Sequence, residues 1–231
     1  MPPARRRTAV FTKHPAPGRV KTRLCPPLSP SQAAALSEAM LRDLVERLAA
    51  ASDLETALRF APAAAAAWFA AGFPGLADRA PQVGPDLGHR LARHFEDEAR
   101  RDPPATAVVV GSDVPLLPVA LVREAHAALG AGADLVLSPD GGGGYALVGL
   151  RGSHPELFTR VAMSSGDTCA RTVALARERG LEVELLEESL DVDREPDLRR
   201  LARLLAGRAP DGPGYPVRTA LLLRELSLLP A

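Results

Sequence analysis

Aromatic side chains make up only 4% of this 231-residue chain, and cysteine is nearly absent, with Cys25 and Cys169 alone. Two cysteines without metal-ligand spacing exclude a disulfide scaffold and a zinc framework, and they predict a reduced, cytoplasmic protein. An excess of either charge is missing too, because 28 basic residues balance 28 acidic ones. A neutral chain carries no electrostatic footprint for nucleic acid. No apolar run is long enough to cross a bilayer, the longest candidate being the Ala-rich stretch 61–71, so no membrane partner is expected. The basic cluster at residues 5–7 has no apolar segment behind it and reads as a solvated end, not a targeting signal. The five histidines lack ligand spacing. His89 and His94 fall on different helix faces and read as surface or packing residues, while His14 lies in a basic loop where it could touch a phosphate. Ser164 and Ser165 have no accompanying His and Asp that would make a nucleophile.

What the chain does have is alternation. Strand patterns at 8–12, 54–60, 107–110, 134–138, 145–150 and 182–186, with a short one at 82–83, are separated by helical patterns. The first helix is announced by Ser29-Pro30-Ser31-Gln32, a capping box with Pro at N1, and carries Leu36, Met40, Leu44 and Leu48 on one face. Further helices are expected at 62–71, from Gly88 through Leu91 and Phe95, and at 119–129, 167–179 and 195–206. A Pro/Gly linker at 210–216 precedes a last amphipathic helix at 218–229. This order predicts one α/β domain with a mainly parallel sheet.

Three stretches carry chemistry. Residues 107–110 (AVVV) read as a strand buried on both faces, ended by Gly111, and Asp113 follows at its carboxyl end, where open α/β sheets bind ligands. A carboxylate there takes a cation, a basic side chain or N–H groups as partner, or else caps the helix entered near Pro118. The loop 13–28 after the first strand is basic and rich in Pro and Gly; Gly18 admits close backbone approach, and Lys21 and Arg23 either make a cradle for a di- or triphosphate or belong to a solvent-facing basic loop, and no Walker A pattern is present. Asp191-Val192-Asp193 is read at the end of the last strand, where alternation sends both carboxylates to one side. Clustered carboxylates repel unless a cation sits among them, and oxygen donors suit Mg²⁺ or Mn²⁺. Capping of the next helix by Asp193 is the alternative. The glycine run at 141–144 is either a wall beside a ligand or a plain hairpin turn.

Together these stretches resemble the GT-A-type nucleotide-diphospho-sugar transferase superfamily and, within it, the DUF2064 family, also called rSAM/selenodomain-associated transferase 1. The matching segments are Lys13-x-Pro15-x-Pro17-Gly18-x-Val20-Lys21-Thr22-Arg23-Leu24, Gln82-Val83-Gly84-Pro85-Asp86-Leu87-Gly88-x-Arg90, Gly111-Ser112-Asp113-x-Pro115, Gly144-Tyr145 with Gly149-Leu150, and Asp191-Val192-Asp193. Two positions depart from the family pattern. Its Asp at the glycine run falls on Gly142, with Asp140 the nearest acid, and its Trp-Ser-Thr is replaced by Met163-Ser164-Ser165 after Ala162. The glycine-run segment is also similar to the guanylyltransferases that build the deazaflavin cofactor F420.

The resemblance implies a single GT-A-like, Rossmann-type domain over residues 1–207, a mainly parallel mixed sheet with helices on both faces, and a C-terminal linker and helix at 208–231 packed on it. It implies nucleotide binding by Lys13, Gly18, Lys21, Arg23 and Ser112, with Gly84 and Leu87 near the base. Metal binding falls to Asp113 and Asp193, catalysis to Lys21, Arg23 and Asp113, and the acceptor side to Asp140, Gly143, Gly144 and Tyr145. The preferred reaction is Mg²⁺- or Mn²⁺-dependent nucleotidyl transfer from a nucleoside triphosphate to a small phosphorylated acceptor. Glycosyl transfer from a nucleotide-sugar is the alternative, and non-catalytic nucleotide binding the second. The expected partners are the nucleotide and a small-molecule acceptor, with a homodimer left open.

Overall fold

The computed structural model describes residues 6–101, 106–163 and 165–229. Arg5 of the basic cluster and Ser164 lie outside these. Seven strands form one sheet in the order β3-β2-β1-β4-β6-β5-β7. They are β1 (Arg7–Lys13), β2 (Glu55–Ala61), β3 (Asp78–Pro81), β4 (Thr106–Gly111), β5 (Leu135–Pro139), β6 (Tyr145–Arg151) and β7 (Val183–Leu185). All neighbours pair in parallel except β6, which runs antiparallel to both β4 and β5. β1 and β4 are adjacent, with Val10 opposite Val110.

The helices are α1 (Pro30–Ala49), α2 (Ala66–Gly72), α3 (Leu87–Arg101), α4 (Val119–Ala131), α5 (Glu156–Thr159), α6 (Thr168–Glu178), α7 (Glu195–Ala206) and α8 (Val217–Glu225). Alternation along β4 divides the core: Val108 and Val110 face one layer, Ala107 and Val109 the other. The first layer is closed by Leu44 and Leu48 of α1 and by Leu121, Val122 and Leu129 of α4. Leu91 and Phe95 of α3, Phe158 of α5 and Val173 of α6 close the second. The α1 stripe is fully buried, and its capping box forms, with Ser29 N–H donating to Gln32 Oε1 at 2.8 Å and Gln32 N–H to Ser29 Oγ at 3.3 Å. Among the described residues no helix is long and apolar enough to cross a membrane.

A third apolar cluster lies off the sheet. It joins Leu36 and Met40 of α1, Leu198 and Leu201 of α7 and Leu223 of α8 to Leu24 and Val192. These last two stand beside the residues singled out for chemistry, so the C-terminal helices are the platform under the site.

Three expectations are corrected. The third strand is Asp78–Pro81, not 82–83. It is a half-exposed edge strand held by the Arg59–Asp78 ion pair (2.7 and 3.0 Å), so hydrophobic periodicity cannot reveal it. Asp191–Asp193 is not a strand end, because β7 stops at Leu185 and the segment is irregular. Val192 N–H donates to the Asp113 carbonyl at 3.0 Å, and burial of the Val192 side chain anchors the segment instead. Neither aspartate caps a helix. Pro118 is the N-cap of α4, without a side-chain cap, and the N-terminus of α7 is closed by Asp197, which accepts from Asp193 N–H and Arg194 N–H at 3.2 and 2.8 Å.

Candidate functional site

The parallel strands β1 and β4 end side by side, and the loops that leave them meet at that edge. After β1 the chain runs through Gly18 (φ 72°) to Lys21, which adopts the left-handed conformation (φ 49°, ψ 34°) and opens a short 3₁₀ turn, Thr22–Leu24. A non-glycine residue rarely sits there without a constraint. Here Leu24, fully buried in the third cluster, pins the turn from one side, and the Lys21 ammonium is drawn inward on the other.

Lys21 Nζ lies 2.6 Å from Asp113 Oδ2 and 3.9 Å from Oδ1 of both Asp191 and Asp193, with only 4% of its side chain exposed. Arg23 Nη1 donates to Asp193 Oδ2 at 2.7 Å from the solvent side. Burial opposes the charge on Lys21, but attraction to Asp113 and then Asp191 outweighs it and holds the ammonium above its usual range. Asp191 feels the opposite balance. Burial first, then the neighbouring Asp113, Asp193 and Asp140, outweigh Lys21 and push its carboxyl up to about 7. Its Oδ1 is buried without a hydrogen-bond partner.

The surroundings hold this arrangement. Arg47 of α1 donates to the carbonyls of Pro115 and Leu117, both at 2.8 Å, bracing the loop that carries Asp113. Ser112 Oγ donates to Asp113 Oδ1 at 3.3 Å. Beside Arg23 a cavity of about 390 Å³ opens, lined also by Pro26, Arg194, Glu195 and Pro196. A second cavity of about 250 Å³ lies at the opposite sheet edge, where its charges pair with one another, as in Arg7–Glu98.

Of the residues singled out from sequence, Lys21, Arg23, Asp113 and Asp193 converge. Ser112 adjoins them, Lys13 ends β1 and Gly18 lies on the loop after it, both exposed. Gly84 and Leu87 follow β3, and Leu87 opens α3. Gln82 ties that segment to β1 and β2 by donating to the Thr12 and Arg59 carbonyls at 3.0 and 2.8 Å. Gly84 has φ 141°, and a Cβ there would meet Arg90 N at 2.9 Å. Leu87 is 44% exposed at the start of α3.

The glycine run connects antiparallel β5 and β6, and the charge of Asp140 at its start reaches Asp191. Asp140 Oδ1 accepts from Gly142 N–H and Gly144 N–H at 2.7 and 2.9 Å, and a Cβ on Gly143 would collide with Gly166 O at 2.0 Å. The Tyr145 ring packs on the second core layer, and its hydroxyl donates to Met163 Sδ at 3.6 Å, so burial raises its pKa.

Two features were not drawn from the sequence. One is Asp191 beside Lys21 and Asp113: the Asp-x-Asp spacing had put its carboxylate on the side of Asp193, but the metal assignment took Asp113 and Asp193 alone. The other is Lys21 as the partner of the carboxylates. Composition did carry a signal for it: 26 of the 28 basic residues are Arg, and the two lysines are Lys13, which ends β1, and Lys21 in the loop after it.

Residues 44–165 match the family model described as "Uncharacterized protein conserved in bacteria (DUF2064)". No curated protein matches the chain. A solved structure from Desulfovibrio desulfuricans G20, provisionally described as a nucleotide-diphospho-sugar transferase, is 30% identical over 96% of each chain, with a TM-score of 0.84. A nucleotidyl transferase from Methanothermobacter thermautotrophicus shares the fold at 14% identity, covering 84% of this chain and 95% of its own, with a TM-score of 0.54. CMP:2-keto-3-deoxy-manno-octonic acid synthetase, solved with CTP, is 10% identical over 87% of this chain and 98% of its own, with a TM-score of 0.50. The fold is thus that of nucleotidyltransferases and GT-A-like domains. Matched by the family model over more than half its length, and by the Desulfovibrio relative over almost all of it, the chain belongs to the DUF2064 family.

Proposed function

We propose that this protein is a nucleotide-utilising transferase and that its reaction is nucleotidyl transfer from a nucleoside triphosphate to a small phosphorylated acceptor. The observation that carries this reading is the meeting of Lys21 and Arg23 with Asp113, Asp191 and Asp193 at the carboxyl edge of the sheet. Two cations behind a Gly-containing loop suit a phosphate chain. The fold neighbour solved with CTP points the same way.

An oxygen of the acceptor phosphate attacks the α-phosphorus, the bond from that phosphorus to the bridging oxygen breaks, and pyrophosphate leaves. Lys21 and Arg23 hold the leaving phosphates and offset their charge, so no side-chain nucleophile is needed. Gly84 and Leu87 border the base, and the hairpin Asp140–Gly144 borders the acceptor. The carboxylates offer only oxygen donors, and the orphaned Asp191 Oδ1 wants a partner, so the set fits Mg²⁺ or Mn²⁺. Asp113 and Asp193, with Asp191 beside them, would hold that cation, which supplies electrostatic stabilisation of phosphate charge when bound.

Glycosyl transfer is the second reading, favoured by the description of the Desulfovibrio relative. The two separate in one assay. Pyrophosphate release from one of the four nucleoside triphosphates supports nucleotidyl transfer, nucleoside diphosphate release from a nucleotide-sugar panel supports the second, and binding without either product leaves a non-catalytic nucleotide-binding protein.

A further inference from the structure

We propose that Lys21 is the resident counter-ion of the aspartate cluster in the nucleotide-free protein, and that it yields the cluster to a divalent cation only when nucleotide phosphates draw its ammonium away. Nucleotide and metal then load as one coupled event. This rests on the function proposed above and adds to it an order of binding.

The ammonium stands where a cation shared by the three carboxylates would stand, 2.6 Å from Asp113 and 3.9 Å from each of the other two. Among the described residues no three acidic side chains stand together as a ready-made metal cluster, and these three instead share Lys21. A divalent ion within 4 Å of that ammonium would be strongly repelled. Lys21 is nevertheless an incomplete partner, since Asp191 Oδ1 accepts no hydrogen bond. Residue type supports the exchange. In a chain that uses Arg for 26 of its 28 cations, a Lys here supplies a compact point charge on a flexible four-carbon stem, which can move from carboxylate to phosphate without losing a bidentate geometry. The left-handed backbone at Lys21 turns the residue into the cluster, at the start of a turn whose next charged residue, Arg23, stays at the solvent rim. Because coupling is reciprocal, the factor by which phosphates improve metal binding is the factor by which metal improves nucleotide binding.

The test uses Mn²⁺ alone, without nucleotide, with free Mn²⁺ followed by electron paramagnetic resonance. Three proteins are compared: wild type, Lys21→Met, and Lys21→Met combined with Asp113→Asn. Wild type should bind weakly, Lys21→Met at least tenfold more tightly, and the double variant should lose that gain. Equal affinity in wild type and Lys21→Met overturns the counter-ion role while leaving a metal site in place. No Mn²⁺ binding by a Lys21→Met protein that melts cooperatively overturns both this proposal and the metal part of the proposed function. If Lys21→Met does not fold, ¹⁵N-lysine spectra of the unmodified protein decide. With only two lysines and Lys13 exposed, a slowly exchanging ammonium signal belongs to Lys21. Mg²⁺ alone should leave that signal unchanged, and Mg²⁺ with inorganic tripolyphosphate should shift or remove it. A shift with Mg²⁺ alone, or no change with both, overturns the proposal.

Discussion

Asp113 is the residue on which most of the site's electrostatics turn, because it is the nearest anion to a buried ammonium. Asp113→Asn is expected to abolish turnover and the metal dependence of nucleotide binding. It should also lower the stability of the nucleotide-free protein, by roughly 1–2 kcal/mol, since an ion pair with the buried Lys21 ammonium becomes a contact from that ammonium to an uncharged amide. Had the aspartates converged with no cation present, the same substitution would leave stability level or raise it, so a thermal melt checks Lys21's role independently of activity. Arg23 is a simpler case. Its guanidinium is 59% exposed and its pair with Asp193 lies at the surface, so Arg23→Ala should leave folding nearly unchanged. Nucleotide affinity should fall about ten- to hundredfold, the worth of one charge-assisted phosphate contact, as read by calorimetry.

At the scale of elements, α8 supplies none of the charges gathered at the site, yet it is part of the platform that fixes it. Its N-terminus is held by Asp43 of α1, whose carboxylate accepts from Arg218 N–H at 3.1 Å, Thr219 N–H at 2.8 Å and Thr219 Oγ1 at 2.7 Å. Asp43 does for α8 what an N-cap residue does in its own helix, satisfying donors that the first turn leaves open. Asp43→Ala is expected to cost about 2 kcal/mol and to raise amide exchange across Val217–Glu225, while Asp43→Asn retains most of the protection. Because Leu223 shares a cluster with Leu24 and Val192, loosening α8 should also weaken nucleotide binding. Unchanged affinity alongside increased exchange would show that α7 and α1 suffice as the platform.

The molecule as a whole carries an acid sensitivity that does not come from the site. His126 of α4 is buried between Thr8 and Thr106, with ring nitrogens 3.0 and 3.4 Å from their hydroxyls. Burial first, then nearby Arg6, lowers its pKa to about 4, against a weaker opposing pull from Asp53. His94, buried near Arg59, lies at about 3. Both folded pKa values are below the unfolded one near 6.5, so between those limits the unfolded chain binds more protons and stability falls as pH falls. The loss begins below about pH 6.5 and saturates below the folded values, at roughly 3 kcal/mol for His126 alone. Melting temperatures recorded from pH 7 to pH 4 should drop, and His126→Gln, which keeps a donor and an acceptor, should flatten that drop.

Much of this protein was determined by sequence alone. The β4 run of valines, the capping box at Ser29, the order of strands and helices and the loop with Lys21 and Arg23 all arise from local rules, since burial on both faces, N-cap chemistry and turn residues each act over a few positions. The convergence of Asp113 with Asp193 came from the rule that parallel strands end on one edge, although Asp193 reaches that edge from an irregular segment anchored by Val192 and not from a strand. Edge strand β3 escaped because ion pairing, not apolar alternation, holds it. Only the tertiary structure decided which cation sits among the aspartates. From sequence, Lys21 was assigned to phosphates, and the partner of Asp113 stayed open among a cation, a basic side chain and N–H groups. The folded chain brings Lys21 and the carboxylates within 2.6–3.9 Å of one another, because Leu24 and Val192 are buried in the same cluster and carry the charged residues beside them to a single point. Long-range burial of two apolar side chains sets that proximity, and no local pattern encodes it.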